Sequence, residues 1–309
     1  MSKDKKRTRR RSPLQGALRQ LRQLGEGLAQ FLVLGFCWLL PVDWASGLGG
    51  WVARTVGSRL SVNRRAMKHL AIAFPEMTEA EKRRITVGMW DNFGRMVAEY
   101  PHLGTIADPA SGRVEVVNAH LPDKVRDAGR PFIVFSAHMA NFELMPIVSN
   151  KHGHNMTVVS RPVNNPYIQR ILLFFRERPT GDWGKIPKGV DGARHAMKLL
   201  QQGLNLGVLV DQRNSQGVAL PLFGQPARTN LGIAKLAIDY DAPLFPAHLE
   251  RLGGARFRLT VEDQLKRPDL GDKQAESVAI MTEVNQVLER WIRQRPEDWL
   301  WLHRRWDRP

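Results

Sequence analysis

The sequence has almost no cysteine, and this scarcity limits both its cross-links and its metal sites. Cys37 is the only cysteine of the 309 residues, so an internal disulfide and a cysteine-rich zinc site are excluded. A single free thiol is consistent with a reducing compartment. The H-E-x-x-H motif is absent, and no other pair of metal ligands stands at a credible spacing. We therefore expect neither a metal ion nor a cofactor.

Motifs of several common enzyme classes are missing as well. The absence of G-x-S-x-G argues against a serine hydrolase. Neither G-x-x-x-x-G-K-[ST] nor G-x-G-x-x-G occurs, so nucleotide binding has no support. A catalytic base in such a chain would act on a hydroxyl of a bound substrate, because no nucleophile of the protein is indicated. That arrangement is typical of direct transfer between two substrates.

Acidic residues are few relative to basic ones. The chain has 46 lysines and arginines against 30 aspartates and glutamates, a formal net charge of +16. This excess implies an acidic partner, such as nucleic acid, anionic lipid, a phosphorylated substrate or an acidic carrier protein. The length is sufficient for one large α/β domain or two small ones.

No apolar run reaches the roughly twenty residues that a membrane-spanning helix needs. The longest, residues 28–40, reads LAQFLVLGFCWLL and ends at a proline. We predict that residues 1–26 form a basic, disordered, cytoplasmic tail, and that residues 27–60 anchor the chain by entering the inner leaflet of a membrane. A buried core helix is the alternative. The tryptophans expected near the interface are Trp38, Trp44 and Trp51.

The most informative stretch is PFIVFSAHMANFE, residues 131–143. Residues 132–137 are apolar or uncharged and predict a buried strand, after which His138, Asn141 and Glu143 follow at once. Ligands of open α/β sheets bind at the carboxyl ends of strands, so we expect His138 at the mouth of a site. An immediate turn into a helix would bring Glu143 back to the imidazole, fix its tautomer and raise its basicity.

The spacing between His138 and Glu143 is weak support by itself. With nine histidines and roughly one residue in ten acidic, about one such pair arises by chance. A histidine hydrogen-bonded within the core is the alternative. The position directly after a buried strand favours the catalytic interpretation.

Strands and helices alternate in the second part of the chain, which predicts an α/β fold with a mainly parallel sheet flanked by helices. A helical region, residues 61–100, precedes it, and Thr78 with Glu81 forms a capping box there. Residues 61–309 would form one catalytic domain. The predicted strands are residues 114–117, 132–137, 156–160, 185–186, 207–211, 243–249 and 257–261. The predicted helices are residues 121–128, 139–150, 165–178, 192–202, 230–239 and 273–294.

Polar residues also follow other predicted strands at the same edge of the sheet. Arg161 ends one strand, and Asp211 begins the polar run DQR that ends another. The loop of residues 220–230 brings Arg228 to the start of a helix, where backbone N–H groups favour anions. Each residue alone more commonly caps or pairs locally. Together they predict a crevice in which arginines hold phosphate or a developing oxyanion.

Five stretches in order resemble the late lipid A biosynthesis acyltransferases, the lauroyl and myristoyl transferases. They are SAHMANFE, SRPVNNP, LVDQR, LPLFGQPARTN and WLWLHRRW. The resemblance covers about residues 63–306 and includes the amino-terminal apolar segment. Ala140 stands where the family usually has glycine, and Leu222 where it usually has phenylalanine. Neither departure puts a catalytic group in doubt.

The resemblance implies a glycerolphosphate-acyltransferase-like fold at the cytoplasmic face of the inner membrane of a Gram-negative bacterium. It implies an acyl-carrier-protein thioester as donor and a hydroxyl of a hydroxyacyl chain on a Kdo-bearing lipid A precursor as acceptor. His138 matches the general base and Glu143 its partner. Arg161, Asp211 and Asn141 are expected to position the substrate. Arg161 or N–H groups at the start of the helix after His138 would hold the oxyanion.

The candidates for phosphate contact are Arg176, Arg178, Arg213 and Arg228. The expected partners are acyl carrier protein, the phosphorylated lipid precursor and inner-membrane lipids. Nucleic acid is not expected, because the tryptophans are not set among the basic residues. Two alternatives remain: a family member acting on another lipid, such as a phosphatidylinositol mannoside, and a non-catalytic basic protein that binds membranes or nucleic acid.

Overall fold

The computed structural model describes residues 13–159, 163–179, 185–186 and 190–307. Within them, helices cover both faces of one large sheet. The helices are α1 (Pro13–Leu39), α2 (Val42–Gly57), α3 (Asn63–Ala73), α4 (Glu79–Glu99), α5 (Leu103–Ile106), α6 (His120–Asp127), α7 (Leu144–Lys151), α8 (Pro166–Glu177), α9 (Val190–Gln201), α10 (Gly232–Asp239) and α11 (Lys273–Gln294). The strands are β1 (Val114–Val117), β2 (Ile133–Ser136), β3 (Met156–Val159), β4 (Lys185–Ile186), β5 (Asn205–Leu209), β6 (Val218–Leu222), β7 (Gln225–Thr229), β8 (Leu244–Gly253) and β9 (Arg256–Val261).

The large sheet confirms the predicted mainly parallel arrangement. Its strand order is β1-β9-β8-β2-β5-β3-β4, and the block from β8 to β4 is parallel throughout. Only β9 is antiparallel to its neighbour β8. Strand β2 lies between β8 and β5, and Ser136 at its end is paired with Leu209 at the end of β5. The chain therefore leaves β2 and β5 side by side, where the carboxyl ends of these two parallel strands lie.

Strand β2 is apolar on both faces because both faces are covered. Ile133 and Phe135 belong to one hydrophobic core, and Phe132 with Val134 to the other, as the alternation of side chains along a strand requires. Helices α3, α4, α10 and α11 contribute to the first core, and α1, α7 and α8 to the second. This double burial explains the uninterrupted apolar run in the sequence.

The hairpin of β6 and β7 corrects the prediction of a loop over residues 220–230. The two strands are antiparallel and turn through Phe223 and Gly224, both with positive φ. Pro221 and Pro226 hide the strand signal in the sequence. Prolines are tolerated here because the hairpin is a separate two-stranded ribbon, whose outer edges need no ladder hydrogen bonds.

The amino-terminal helices combine a packed face with an exposed one. Helix α1 begins at Pro13, so the predicted disorder of residues 1–26 is wrong from Pro13 onward. Helix α2 crosses α4 so closely at Gly49 and Gly94 that a Cβ on Gly94 would overlap the Gly49 carbonyl oxygen. The opposite faces leave Leu39 and Trp44 largely in solvent, at 84% and 72% exposure. Among the described residues, no helix has the length and apolarity needed to cross a membrane.

Candidate active site

The imidazole of His138 contacts a carboxylate on the neighbouring strand. His138 follows β2 and Asp211 follows β5, and imidazole Nδ1 is 2.7 Å from Asp211 Oδ1. The backbone N–H of His138 donates to the other carboxylate oxygen over 2.9 Å. Because a carboxylate only accepts, Nδ1 of the neutral ring carries the proton and Nε2 keeps its lone pair. This is the tautomer that a general base requires.

Asp211 is almost fully buried and is held by three donors. Besides the two from His138, the indole N–H of Trp299 donates to Oδ2 over 2.8 Å. Burial by itself would raise the pKa of Asp211, but the attraction of His138 and these hydrogen bonds outweigh it and keep the pKa below its ordinary value. Asp211 is therefore ionised at neutral pH and can stabilise a protonated His138.

The carboxyl-terminal segment fastens the loop that carries His138. The N–H of Leu300 donates to the His138 carbonyl over 3.1 Å, and the N–H of Ala140 donates to the Asp298 carbonyl over 3.0 Å. Ala140 has a φ of 46°, a left-handed conformation that glycine adopts without strain. The resemblance implies glycine at this position, and the left-handed backbone is consistent with that expectation.

Glu143 contacts Arg176 and Tyr100, which corrects the predicted pairing with His138. Its carboxylate accepts from Arg176 Nε over 2.7 Å, from a second guanidinium nitrogen, and from the Tyr100 hydroxyl over 2.6 Å. Burial alone would lower the pKa of Arg176, yet the charge of Glu143 raises it above its ordinary value. Glu143 thus neutralises a permanent cation, whereas Asp211 is the carboxylate that orients His138.

The reason for this correction is the course of the chain after His138. The predicted helix 139–150 begins only at Leu144, and the turn before it directs Glu143 toward α8. The N–H groups of Met139 and Ala140 donate to the carbonyls of Ala137 and Asp298. These two N–H groups are therefore already used, and the prediction that the start of this helix holds the oxyanion is wrong for them.

Asn141 and Arg161 are both predicted to position the substrate, but the structure describes the contacts of Asn141 alone. Asn141 is fully buried, and its amide donates to Glu99 over 2.8 Å. Glu99 also accepts from Ser46 of α2 and from Arg251 of β8. Asn141 therefore stabilises the loop through a buried network. Arg161 lies outside the described residues, so its role stays a prediction.

The other three arginines predicted to bind phosphate contact either Trp38 or Asp307. The guanidinium of Arg178 lies 4.8 Å from the ring centroid of Trp38. Arg213 and Arg228 both contact the carboxylate of Asp307, with Nε–Oδ distances of 2.5 and 2.9 Å. Two cations thus share one anion at the surface, and phosphate binding by them stays a prediction.

A mostly apolar cavity of about 330 Å³ opens beside His138. It lies over the sheet face formed by β2, β5 and β3, beneath α7 and α8. His138, Glu143, Arg176 and Tyr100 contribute its polar wall. A larger groove of about 630 Å³ is lined by Arg130, just before β2, and therefore lies at the opposite end of that strand. The apolar residues that line the cavity beside His138 are Phe93, Met96, Val134, Phe142, Met145, Pro146, Met156, Val158, Val163, Leu172, Val208, Leu209 and Leu300.

Comparison with known proteins identifies the family. The model described as bacterial lipid A biosynthesis acyltransferase matches residues 15–308. This chain belongs to that family. It is 27% identical over 292 residues to the lipid A biosynthesis lauroyltransferase of Escherichia coli K12, an alignment that covers 89% of this chain and 90% of that protein. Identity to the lipid A biosynthesis myristoyltransferase of the same organism is 23% over 249 residues, or 78% and 74% of the two chains.

Membership in the lipid A biosynthesis acyltransferase family makes this chain an acyltransferase. Within the described residues, no group of three or more histidines, cysteines, aspartates or glutamates is placed to hold a metal ion.

Three site residues of this acyltransferase were not predicted as such from the sequence. They are Tyr100, Trp299 and His303. Tyr100 follows the long helix α4 and has no local signal. Trp299 and His303 lie in the stretch WLWLHRRW, which carries the family resemblance without indicating a role for either residue. These residues contact partners that lie far away in the sequence, and the spacing of residues within a motif does not predict such contacts.

Proposed function

We propose that this acyltransferase transfers a fatty acyl chain from an acyl-carrier-protein thioester to a lipid hydroxyl. The acceptor would be a hydroxyacyl chain of a phosphorylated, Kdo-bearing lipid A precursor. The observation that carries the proposal is the His138–Asp211 pair at an apolar cavity. Relatives named for lauroyl and myristoyl transfer in lipid A biosynthesis support the choice of acceptor pathway and of acyl donor chain.

In the proposed mechanism, Nε2 of His138 removes the proton from the acceptor hydroxyl as its oxygen attacks the thioester carbonyl carbon. Asp211 stabilises the resulting imidazolium. The tetrahedral intermediate collapses, the carbon–sulfur bond breaks, and the proton passes from His138 to the departing thiolate. The products are an ester and the free thiol of the carrier protein, and no acyl-enzyme intermediate is expected.

The ion pair of Glu143 and Arg176 is the proposed electrostatic element of the site. The side chain of Arg176 is only 15% exposed and lines the same cavity as His138. A fixed guanidinium in a largely buried wall can stabilise charge that develops on the carbonyl oxygen, because little water screens it. Glu143 and Tyr100 hold it in place, and Arg161 is the second candidate for this role, by resemblance.

The apolar part of the cavity is the proposed acyl site. Its volume of about 330 Å³ lies within the range of about 300–1,000 Å³ that is usual for small-molecule sites. Met145 and Met156 lie on its wall, and flexible methionines adapt to a chain of methylene groups. Burial of the acyl chain in this cavity would place the thioester carbonyl near His138.

Association with the inner membrane, at its cytoplasmic face, is the proposed location. Apolar side chains are exposed all along α1 and α2, for example Phe31 at 60% and Trp44 at 72%. A contiguous exposed apolar surface of this kind favours insertion into a lipid interface. The net charge of +16 favours an anionic surface and an acidic carrier protein.

Acyl transfer to Kdo-lipid IVA tests the proposal. Wild type would be supplied with acyl-carrier-protein thioesters of a series of chain lengths that includes lauroyl and myristoyl. We expect transfer by wild type and by His120→Ala, whose histidine is exposed on α6, and none above background by His138→Ala. Undiminished transfer by His138→Ala would exclude the general-base role. Absence of transfer by wild type from every donor would exclude this acceptor.

A further inference from the structure

We propose that His303 is a second catalytic residue, which hydrogen-bonds the oxygen of the acceptor hydroxyl while His138 removes its proton. The inference rests on the function proposed above and deepens it. It assigns a role to the carboxyl-terminal stretch WLWLHRRW, of which the mechanism so far uses only Trp299.

The imidazoles of His138 and His303 lie next to each other at the cavity. Their ring centroids are 4.8 Å apart, with an interplanar angle of 62°, and both rings line the same cavity wall. The amide nitrogen of Gln212 lies 3.2 Å from Nε2 of His138 and 3.4 Å from Nε2 of His303. One atom is thus within hydrogen-bonding reach of both rings.

The position of the Gln212 nitrogen indicates where the acceptor oxygen binds. A hydroxyl oxygen at this point can donate its single hydrogen to the lone pair on Nε2 of His138. When His303 carries its proton on Nε2, the tautomer opposite to the one that accepts from the Gln212 amide, it can donate a hydrogen bond to the same oxygen. One lone pair of the oxygen then remains to attack the carbonyl carbon. The Gln212 side chain lies on the segment after β5 and turns away when the hydroxyl binds.

The surroundings of the two histidines assign their different roles. Asp211 contacts Nδ1 of His138 and can stabilise the imidazolium that forms there, so His138 is the base. His303 is positioned by its neighbours in the sequence, because Trp301 and Arg305 are fully buried. Arg305 donates to Thr229 on β7 and to Asn285 on α11. These contacts hold the segment against the domain core and fix the position of His303 beside the cavity.

Three variants at position 303 test this role in the acyl-transfer assay. His303→Gln keeps an N–H donor at a similar reach, His303→Leu keeps volume without a donor, and His303→Ala removes both. We expect kcat to fall about 10- to 100-fold in the Ala and Leu variants, with the KM for the acyl-carrier-protein thioester unchanged. His303→Gln should recover at least part of kcat. His120→Ala is the control for loss of an exposed histidine, and thermal unfolding verifies that every variant folds.

The outcomes separate this inference from the function on which it rests. Wild-type transfer together with equal kcat in His303→Ala would overturn the inference and leave the proposed function standing. Equal kcat in the Gln and Leu variants, or a loss confined to the KM for the thioester, would overturn the donor role. Failure of wild type to transfer from any donor would overturn the proposed function itself.

Discussion

Two buried carboxylates near the same cavity differ in the side chain that contacts them. Asp211, 1% exposed, contacts His138, whose charge changes with its protonation. Glu143, 5% exposed, contacts Arg176, whose charge is permanent. Only the first pair contains a side chain that can exchange a proton with a substrate, since arginine keeps its charge. The comparison indicates that Asp211 acts through the proposed base, His138, and that Glu143 holds a fixed cation in the wall of the cavity.

The largest expected effect is that of Asp211→Asn on catalysis. An amide cannot stabilise the imidazolium and can favour the wrong tautomer of His138, so we expect kcat to fall about 10³- to 10⁴-fold. Steady-state kinetics of acyl transfer measures this loss. The double variant Asp211→Asn/His138→Ala should be no slower than His138→Ala, since the two residues act as a unit. Additive losses in the double variant would contradict the shared role.

The positions of His138 and Asp211 also show where prediction from the sequence succeeds. The apolar run of β2 predicts a buried parallel strand, and its end places His138 at the edge where ligands bind. The same reasoning places Asp211 at the end of β5. The capping box of Thr78 and Glu81 begins α4 as predicted. These features follow from local pattern and from the geometry of parallel sheets.

The pairing of side chains could not be predicted in the same way. The interval from His138 to Glu143 suggested a contact only if a helix began at once, whereas the left-handed Ala140 delays the helix to Leu144. The indole of Trp299 reaches Asp211 from 88 residues away. Such contacts depend on the packing of the whole domain, which the spacing of residues along the chain does not encode.

The second prediction concerns the fixed ion pair and its contribution to stability. Glu143→Gln leaves Arg176 charged and poorly compensated in a mostly buried wall, so we expect the free energy of unfolding to fall by about 3–5 kcal/mol. Denaturant unfolding measures the change. The double variant Glu143→Gln/Arg176→Met should recover most of the loss, because no buried charge remains. A double variant that is no more stable than Glu143→Gln would contradict this account.

A third buried carboxylate, Asp298, extends the comparison, because the cation beside it is poorly placed to compensate its charge. Oδ2 of Asp298 has no hydrogen-bond partner among the described residues, and the nearest cation, Arg295 Nε, is 3.5 Å away. Burial raises the pKa of Asp298 to about 6. A pKa that is higher in the folded state than in the unfolded state stabilises the fold at low pH, and this stabilisation is lost as the pH rises through about 6.

Asp298→Asn removes this titration from the protein. We expect the variant to match wild type near pH 4 and to be more stable by up to about 3 kcal/mol near pH 8. Urea unfolding at the two pH values measures the difference. A variant that is less stable than wild type at the higher pH would show that the ionised carboxylate is well compensated, as those of Asp211 and Glu143 are.

The smallest expected effects come from removing one donor from each carboxylate. Trp299→Phe deletes the indole N–H that donates to Asp211. The pKa of Asp211 should therefore rise. We expect kcat to fall about tenfold, because one hydrogen bond to a charged group is lost.

Tyr100→Phe deletes the hydroxyl that donates to Glu143, which keeps its two bonds from Arg176. We expect it to lower the free energy of unfolding by about 1 kcal/mol. If Tyr100→Phe instead reduces kcat more than Trp299→Phe does, then Glu143 and not Asp211 is the carboxylate on which proton transfer depends.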